Sequence, residues 1–355
     1  VNTSAGSGSH AGARTAVERA MEAALALSEG VRGTTSPNPP VGAVILDAEG
    51  RRVGEGVTQP PPGPHAEVLA LREAGDRARG GTAVVTLEPC SHHGRTPPCT
   101  RALIEAGVAA VRFAVADPHP EASGGAGVLR AAGVDVEGGL LADQVAAGPL
   151  RAWLHRERTG RPHVTWKYAT SLDGRVAAAD GTSRWISGPV SRAEVHTLRS
   201  RMDAVVVGTG TVFADDPWLT VRAEDGTLAD RQPLRVVVGT RGIPRGARVL
   251  DSAAETVVFA THDPDEVLAG LAERGVVDVL LEGGPTVAGA FVAGGRVDRI
   301  LAYVAPALLG AGPVALRDAG VSTITEAHRW RVEEATMSGE DVRISAVPLT
   351  GEGGD

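Results

Sequence analysis

Cysteine and aromatic side chains are scarce in this 355-residue chain: there are two cysteines, and Phe, Trp and Tyr together make up 3%. Two cysteines cannot build a disulfide framework. In a reducing compartment such a pair more often serves as metal ligands or a redox couple. With so few rings, Val, Leu, Ile and Ala must fill the cores. No apolar run reaches the roughly 18–20 residues that span a bilayer, so no membrane partner is expected. Dense Lys/Arg runs are also missing, and the net charge is −8. That balance argues against a basic face for nonspecific nucleic-acid binding. Residues 1–13 are rich in Ser, Gly and Ala and lack the apolar segment of a secretory signal. The expectation is a disordered leader on a cytoplasmic protein.

The length suggests two domains, and both halves read as α/β. In the first, residues 17–28 have helical periodicity, with Val17, Met21, Ala24, Leu25 and Leu27 on the apolar side. Residues 41–46 and 82–87 are short runs suited to buried strands. Residues 65–74 and 99–106 read as helices, the second stopped by Gly107. Strands follow at 108–116 and 134–136. Alternation of this kind implies a mainly parallel sheet with covered faces. A basic stretch at 151–162 reads as a solvated helix end and turn, which places the domains at 14–158 and 159–355. The second series has strands at 163–168, 204–207, 234–238, 256–259, 276–281 and 299–304. No repeat links the halves.

What is present is concentrated. Both cysteines sit in Glu88-Pro89-Cys90-Ser91-His92-His93-Gly94-Arg95-Thr96-Pro97-Pro98-Cys99, downstream of Pro64-His65-Ala66-Glu67. A catalytic zinc takes three protein ligands and keeps one position for water; His65, Cys90 and Cys99 supply three. Hydrolytic deamination also needs proton traffic, and Glu67 stands two residues from the ligand His. Pro64 and Pro97-Pro98 suit helix starts, whose dipoles favour thiolate. Taken alone, His-x-Glu could mark an ordinary helix start, and the cysteines a redox pair or small core residues. Together they match the H-x-E…P-C-x-x-C deaminase signature, with eight residues between the cysteines where that signature has two. His92 and His93 remain alternative ligands.

In the second half, Val205-Val206-Val207-Gly208-Thr209-Gly210-Thr211 and Leu280-Leu281-Glu282-Gly283-Gly284-Pro285-Thr286 each read as a strand entering a glycine turn. Such turns let backbone N–H groups approach a phosphate at a helix start, although neither fits G-x-G-x-x-G and either could be a plain tight turn.

These segments, with Ser36-Pro37-Asn38-Pro39-Pro40-Val41-Gly42 and Lys167-Tyr168-Ala169-Thr170-Ser171-Leu172-Asp173-Gly174-Arg175, resemble the bifunctional deaminase/reductase family of riboflavin biosynthesis. The eight-residue gap is that family's variant of the cysteine motif. Ser183-Arg184-Trp185-Ile186-Ser187, Ala214-Asp215-Asp216-Pro217, Leu219-Thr220-Val221-Arg222 and Ala305-Pro306-Ala307-Leu308-Leu309-Gly310 extend the likeness from about Val17 to the end of the chain.

The resemblance implies a cytidine-deaminase-like three-layer domain followed by a dihydrofolate-reductase-like domain with a mainly parallel sheet, using Zn2+ and NADPH. It implies deamination of 2,5-diamino-6-(5-phosphoribosylamino)pyrimidin-4(3H)-one, then reduction of the product's ribosyl group to ribityl, in a homo-oligomer. By matching positions, Asn38 would contact the deaminase substrate. Ala169, Trp185, Thr211, Asp215, Thr240 and the run Gly284, Pro285, Thr286, Val287, Ala288, Gly289 and Ala290 would contact NADPH. Ser183, Arg199, Leu219, Arg222 and Glu282 would contact the reductase substrate. Arg199 and Arg222 suit its phosphate, and Glu282 can accept from pyrimidine N–H groups. Lys167 and Asp215 are candidates for proton or electrostatic assistance at the sugar carbon. Val236-Val237-Val238-Gly239-Thr240 departs from the family, with Gly where Asp is common. The residues 92–96, Arg95 above all, could help hold the deaminase substrate's phosphate.

Two other readings compete. A nucleic-acid-editing deaminase with a C-terminal binding module would need a basic strand channel, which this acidic chain fits poorly. A non-catalytic second half is disfavoured by the presence of Lys167, Asp215 and Glu282.

Overall fold

In the computed structural model, residues 15–91, 97–119, 123–223 and 225–349 are described; the expected leader lies outside them. By internal contacts the chain divides into Val1–Gly30 with Pro40–Leu150, and Val31–Pro39 with Arg151–Asp355.

The first unit runs α1 (Ala16–Gly30), β1 (Gly42–Leu46), β2 (Arg52–Val57), α2 (Ala66–Ala74), β3 (Thr82–Leu87), α3 (Cys99–Ala106), β4 (Ala110–Val115), α4 (Gly125–Ala131), β5 (Asp135–Gly138) and α5 (Ala142–Ala147). Its sheet has the order β2-β1-β3-β4-β5. Strands β3, β4 and β5 are parallel, whereas β1 is antiparallel to both its neighbours. The sheet is therefore mixed, not mainly parallel. The correction comes from β2, whose Arg52-Val53-Gly54-Glu55-Gly56-Val57 carries no continuous apolar run and pairs back on β1 as a hairpin.

The glycines of β1 and β2 set the layers. A Cβ on Gly42 would lie 2.0 Å from the Ala24 carbonyl oxygen of α1. On the opposite side, Gly56 pairs with Ala43, and its Cβ would lie 2.1 Å from the Ala66 carbonyl oxygen of α2. Successive strand residues face opposite ways, so α1 and α2 cover opposite faces and make three layers. The close backbone approach at Gly56 seats the N-terminus of α2 against the sheet.

The second unit continues with α6 (Arg151–Thr159), β6 (His163–Ser171), α7 (Pro189–Ser200), β7 (Ala204–Gly208), α8 (Thr209–Asp215), β8 (Leu234–Val238), β9 (Thr256–Phe259), α9 (Pro264–Glu273), β10 (Asp278–Gly283), α10 (Pro285–Ala293), β11 (Arg299–Ala305), β12 (Trp330–Ser338) and β13 (Asp341–Pro348). Its sheet order is β12-β13-β11-β6-β10-β7-β8-β9, parallel from β11 to β9 with an antiparallel hairpin at one edge. Alternate strand residues feed two cores. Val164, Trp166, Val206 and Leu281 pack with Leu268 of α9 and Phe291 of α10. Val205, Val207 and Leu280 pack with Val212 of α8 and Leu198 of α7. Lys167 and Glu282, next along their strands, share the α7 and α8 side.

The stretch at 151–162 differs from a solvated helix end. Ala152, Trp153 and Leu154 are buried and only residues 158–160 at the helix end are exposed; by internal contacts α6 belongs with the second unit, which puts the division at Leu150 instead of residue 158. Its basic residues are partnered there: Arg151 pairs with Glu333 at 3.1 Å and Arg161 grips Asp298 at 2.7 and 2.8 Å.

Candidate active sites

In the first unit, α2 and α3 bring their starts to the C-terminal end of β3. His65 is the N-cap of α2 with extended backbone, and Cys99 is the first residue of α3 after Pro98. Cys90 follows β3 by way of Glu88, whose carboxylate accepts from the backbone N–H groups of Ala126 (2.9 Å) and Asp117 (3.2 Å). Those bonds fix the loop behind Cys90. Its carbonyl also accepts from the Thr100 N–H at 3.3 Å.

His65 Nδ1 lies 3.7 Å from Cys90 Sγ and 3.3 Å from Cys99 Sγ, and all three donor atoms lie within 4.8 Å of one another. Tetrahedral zinc with N at about 2.0 Å and S at about 2.3 Å separates an N–S pair by about 3.6 Å. The triad fits zinc. The Cys99 N–H points at Cys90 Sγ, 3.4 Å away. The Cys90 thiol is pulled well below its ordinary range by hydrogen bonding from Cys99 and then from His65, against the effect of burial. Glu67 is 5% exposed in the first turn of α2 and interacts with Cys99. Burial is the main cause that raises its carboxyl above the ordinary carboxylate range. His92, His93 and Arg95 lie outside the described residues. Asn38 belongs to the Val31–Pro39 segment counted with the second unit; its N–H donates to Thr35 O at 2.9 Å.

In the second unit, the register Leu281↔Trp166 sets Glu282 beside Lys167. Arg199 of α7 reaches down to Glu282 with Nε on Oε1 and Nη2 on Oε2, the latter at 2.6 Å. The two-point bond anticipated for a phosphate is thus made here to Glu282. Lys167 lies 5.8 Å from the Tyr303 ring centre. Burial lowers its pKa, Glu282 opposes that, and Arg199 adds to it. Ser183 Oγ donates to Asp215 Oδ1 at 3.4 Å. Arg222 donates to Gly226 O and stands over Trp218. Leu219 has φ +55 and is buried, 3% exposed as a whole residue. Ala169 packs beneath α7, and Trp185 is exposed under Arg192.

The C-terminal ends of β10, β7 and β8 open side by side into glycine turns. Gly284 N–H donates to Thr211 Oγ1 at 2.9 Å, and a Cβ there would stand 3.1 Å from that oxygen. Gly284 caps α10 without a side-chain bond, which leaves backbone donors at a helix start beside a parallel-sheet edge. This donor set fits the pyrophosphate of a dinucleotide. It gathers Thr211 and the 284–290 run, with Thr240 just beyond β8.

Sequence reasoning missed His196. It lies one turn before Arg199 on α7, and its buried Nδ1 has no partner among the described residues. Its three-residue spacing from Arg199 was the available signal. Phe213 and Arg241, not singled out in the sequence, stack on each other.

Residues 14–115 match the cytidine and deoxycytidylate deaminase zinc-binding region, and residues 162–344 match the RibD C-terminal domain. Fold and sites together define a bifunctional zinc deaminase and NADPH-dependent reductase, cytidine-deaminase-like in its first domain and dihydrofolate-reductase-like in its second. The riboflavin biosynthesis protein RibD of Mycobacterium tuberculosis is 59% identical over 331 residues, covering 93% of this chain and 97% of that protein. RibD of Escherichia coli K12 is 40% identical, covering 92% and 98%. The solved Acinetobacter baumannii RibD superposes with a TM-score of 0.85 at 36% identity, covering 94% and 99%. A deaminase/reductase from Thermotoga maritima gives 0.85 at 33% identity with the same coverage. The chain belongs to the RibD family of riboflavin biosynthesis enzymes. No helix among the described residues is long and apolar enough to cross a membrane.

Proposed function

We propose that the two sites carry out consecutive steps. The first removes the 2-amino group of 2,5-diamino-6-(5-phosphoribosylamino)pyrimidin-4(3H)-one by hydrolysis; the second reduces the ribosyl side chain of 5-amino-6-(5-phosphoribosylamino)uracil to ribityl. The observation that carries this reading is the spacing of His65, Cys90 and Cys99 around a zinc-sized centre, with buried Glu67 beside it. Zinc, when bound, supplies Lewis-acid activation of water near neutral pH. Glu67 takes the water's proton and hands it to the departing nitrogen, which leaves as ammonia. Asn38 orients the pyrimidine.

In the reductase, the turn at Gly284, helix α10, Thr211, Trp185, Ala169 and Thr240 hold NADPH. Ser183, Arg199, Leu219, Arg222 and Glu282 hold the substrate. Reduction adds a hydride and a proton to the sugar, and Lys167 and Asp215 steady the charge that develops there. The partners are small phosphorylated pyrimidines and not nucleic acid, as the net charge of −8 favours; the protein works in the cytoplasm, as a homo-oligomer of the kind its family resemblance implies.

A coupled assay with the diaminopyrimidine substrate, with and without NADPH, tests the whole reading. Glu67→Ala should retain about one zinc per chain and lose deamination, while reduction of the deaminated intermediate persists. Loss of both activities in a folded, zinc-loaded variant would overturn the two-site reading, and an active deaminase free of zinc would overturn the metal site.

A further inference from the structure

Helix α8 leads away from the cofactor edge of the second sheet and exposes an aromatic ring: Phe213 is 44% exposed. The Arg241 guanidinium lies over that ring, 3.5 Å from its centre. Arg241 makes no ion pair or hydrogen bond among the described residues. Among the other arginines of this unit, Arg248 pairs with Asp216, Arg235 with Asp251, and Arg222 donates to Gly226 O, while exposed Arg245 lacks the ring that seats Arg241. A guanidinium stacked flat on a ring keeps its N–H edge free and has already lost much of its rotational freedom, which suits phosphate recognition.

Its position is set by the turn after β8. Gly239 has φ +137, and a Cβ there would stand 2.7 Å from Thr209 Oγ1 and 3.5 Å from His262 Cε1. The turn therefore lies against the first residue of α8 and leads directly into Thr240 and Arg241, while Ile243 packs into the core below. Thr211, on the same helix as Phe213, holds the Gly284 turn. In doubly wound sheets an acid near such a strand end accepts from the ribose 2′-hydroxyl of NADH, and an arginine accommodates the 2′-phosphate of NADPH. Here Gly239 stands at the end of β8. The acids after neighbouring β9 are engaged: Asp263 caps α9 through the Asp265 N–H at 2.9 Å, and Asp265 binds Arg296 at 3.0 Å.

We propose that Arg241, seated on Phe213, binds the 2′-phosphate of the dinucleotide and makes the reductase site selective for NADPH over NADH. The inference rests on the reading of the second unit as an NADPH-dependent reductase.

Equilibrium binding to the full-length protein tests it, with NADPH and NADH followed by nicotinamide fluorescence, and adenosine 2′,5′-bisphosphate and adenosine 5′-phosphate as competitors. Arg241→Ala should weaken NADPH and the bisphosphate about 10- to 100-fold, the loss expected for a charged hydrogen-bonded contact. NADH and adenosine 5′-phosphate should change less than about 3-fold. Phe213→Leu should weaken NADPH with NADH unmoved, and Arg241→Lys should recover part of the preference. Thermal melting without nucleotide reports whether each variant folds. Equal weakening of NADPH and NADH, or an unchanged preference in folded Arg241→Ala, would overturn the assignment while leaving the reductase reading standing. Wild-type protein that binds neither nucleotide would overturn both.

Discussion

Arg199 and Glu282 hold each other at two points, Nη2 to Oε2 at 2.6 Å, with side chains only 17% and 10% exposed. A buried pair of this kind costs desolvation to assemble but far more to break on one side. Arg199→Ala leaves Glu282 buried with Lys167 and His196 as the remaining groups that favour its charge, and should destabilise the protein by about 3 kcal/mol in urea unfolding. Arg199→Met with Glu282→Leu removes both charges and should recover most of that loss, though not reductase activity. If the double variant were as unstable as the single one, the pair would not be the cause.

Glu282 also holds up the Lys167 pKa against burial and Arg199. Glu282→Gln removes that attraction, so Lys167 should lose its proton at lower pH. If protonated Lys167 assists reduction, the basic limb of the kcat/KM profile moves toward neutrality. A limb at the same pH in the variant, measured with the deaminated intermediate and NADPH, would remove Lys167 from that role.

The zinc triad was legible because motif order and spacing encode it: the proline-marked helix starts and the Glu-Pro-Cys strand end lie close in sequence to the ligands. The parallel strands were legible from their β-branched runs, and β3, β8 and β9 have the bounds read from them. Hairpins were harder. Strand β2 hides behind two glycines and two charges, and β12 is exposed over most of its length, so neither carries the apolar pattern that marks a buried strand. The Arg199–Glu282 bond was invisible for another reason. It joins residues 83 apart in sequence through a register that only the folded sheet specifies.

The close approach at Gly56 ties strand packing to metal binding. Gly56→Ala would drive a methyl group to within 2.1 Å of the Ala66 carbonyl oxygen, at the turn of α2 that carries His65 and Glu67. Overpacking of this size should cost about 1–3 kcal/mol and speed zinc release to a chromogenic chelator. Gly127→Ala in α4 is the control, since a Cβ there meets nothing within 4 Å and should be neutral or stabilising by up to about 1 kcal/mol. Equal zinc release from the two variants would show that α2 tolerates the shift.

His155 of α6 gives the second unit an acid-sensitive element. Burial pushes its pKa down to about 4, although Asp298 stands 3.6 Å from Nε2 and opposes the shift; His163, Arg161 and Arg158 face it as well and add to it. Asp298 is already held at two points by Arg161, so it offers His155 little. An unfolded histidine titrates near 6.5. The unfolded chain therefore binds this proton first, and the contribution of neutral His155 is whole above about pH 6.5 and is lost as pH falls toward 4. The expected loss is about 1–2 kcal/mol after allowance for solvent screening. His155→Phe, which keeps a ring against His163, should flatten the urea stability profile between pH 6.5 and 4 relative to wild type. Below pH 4 both proteins should fall together as carboxylates such as Asp298 protonate. An identical slope in the two proteins above pH 4 would mean that another group carries the acid sensitivity.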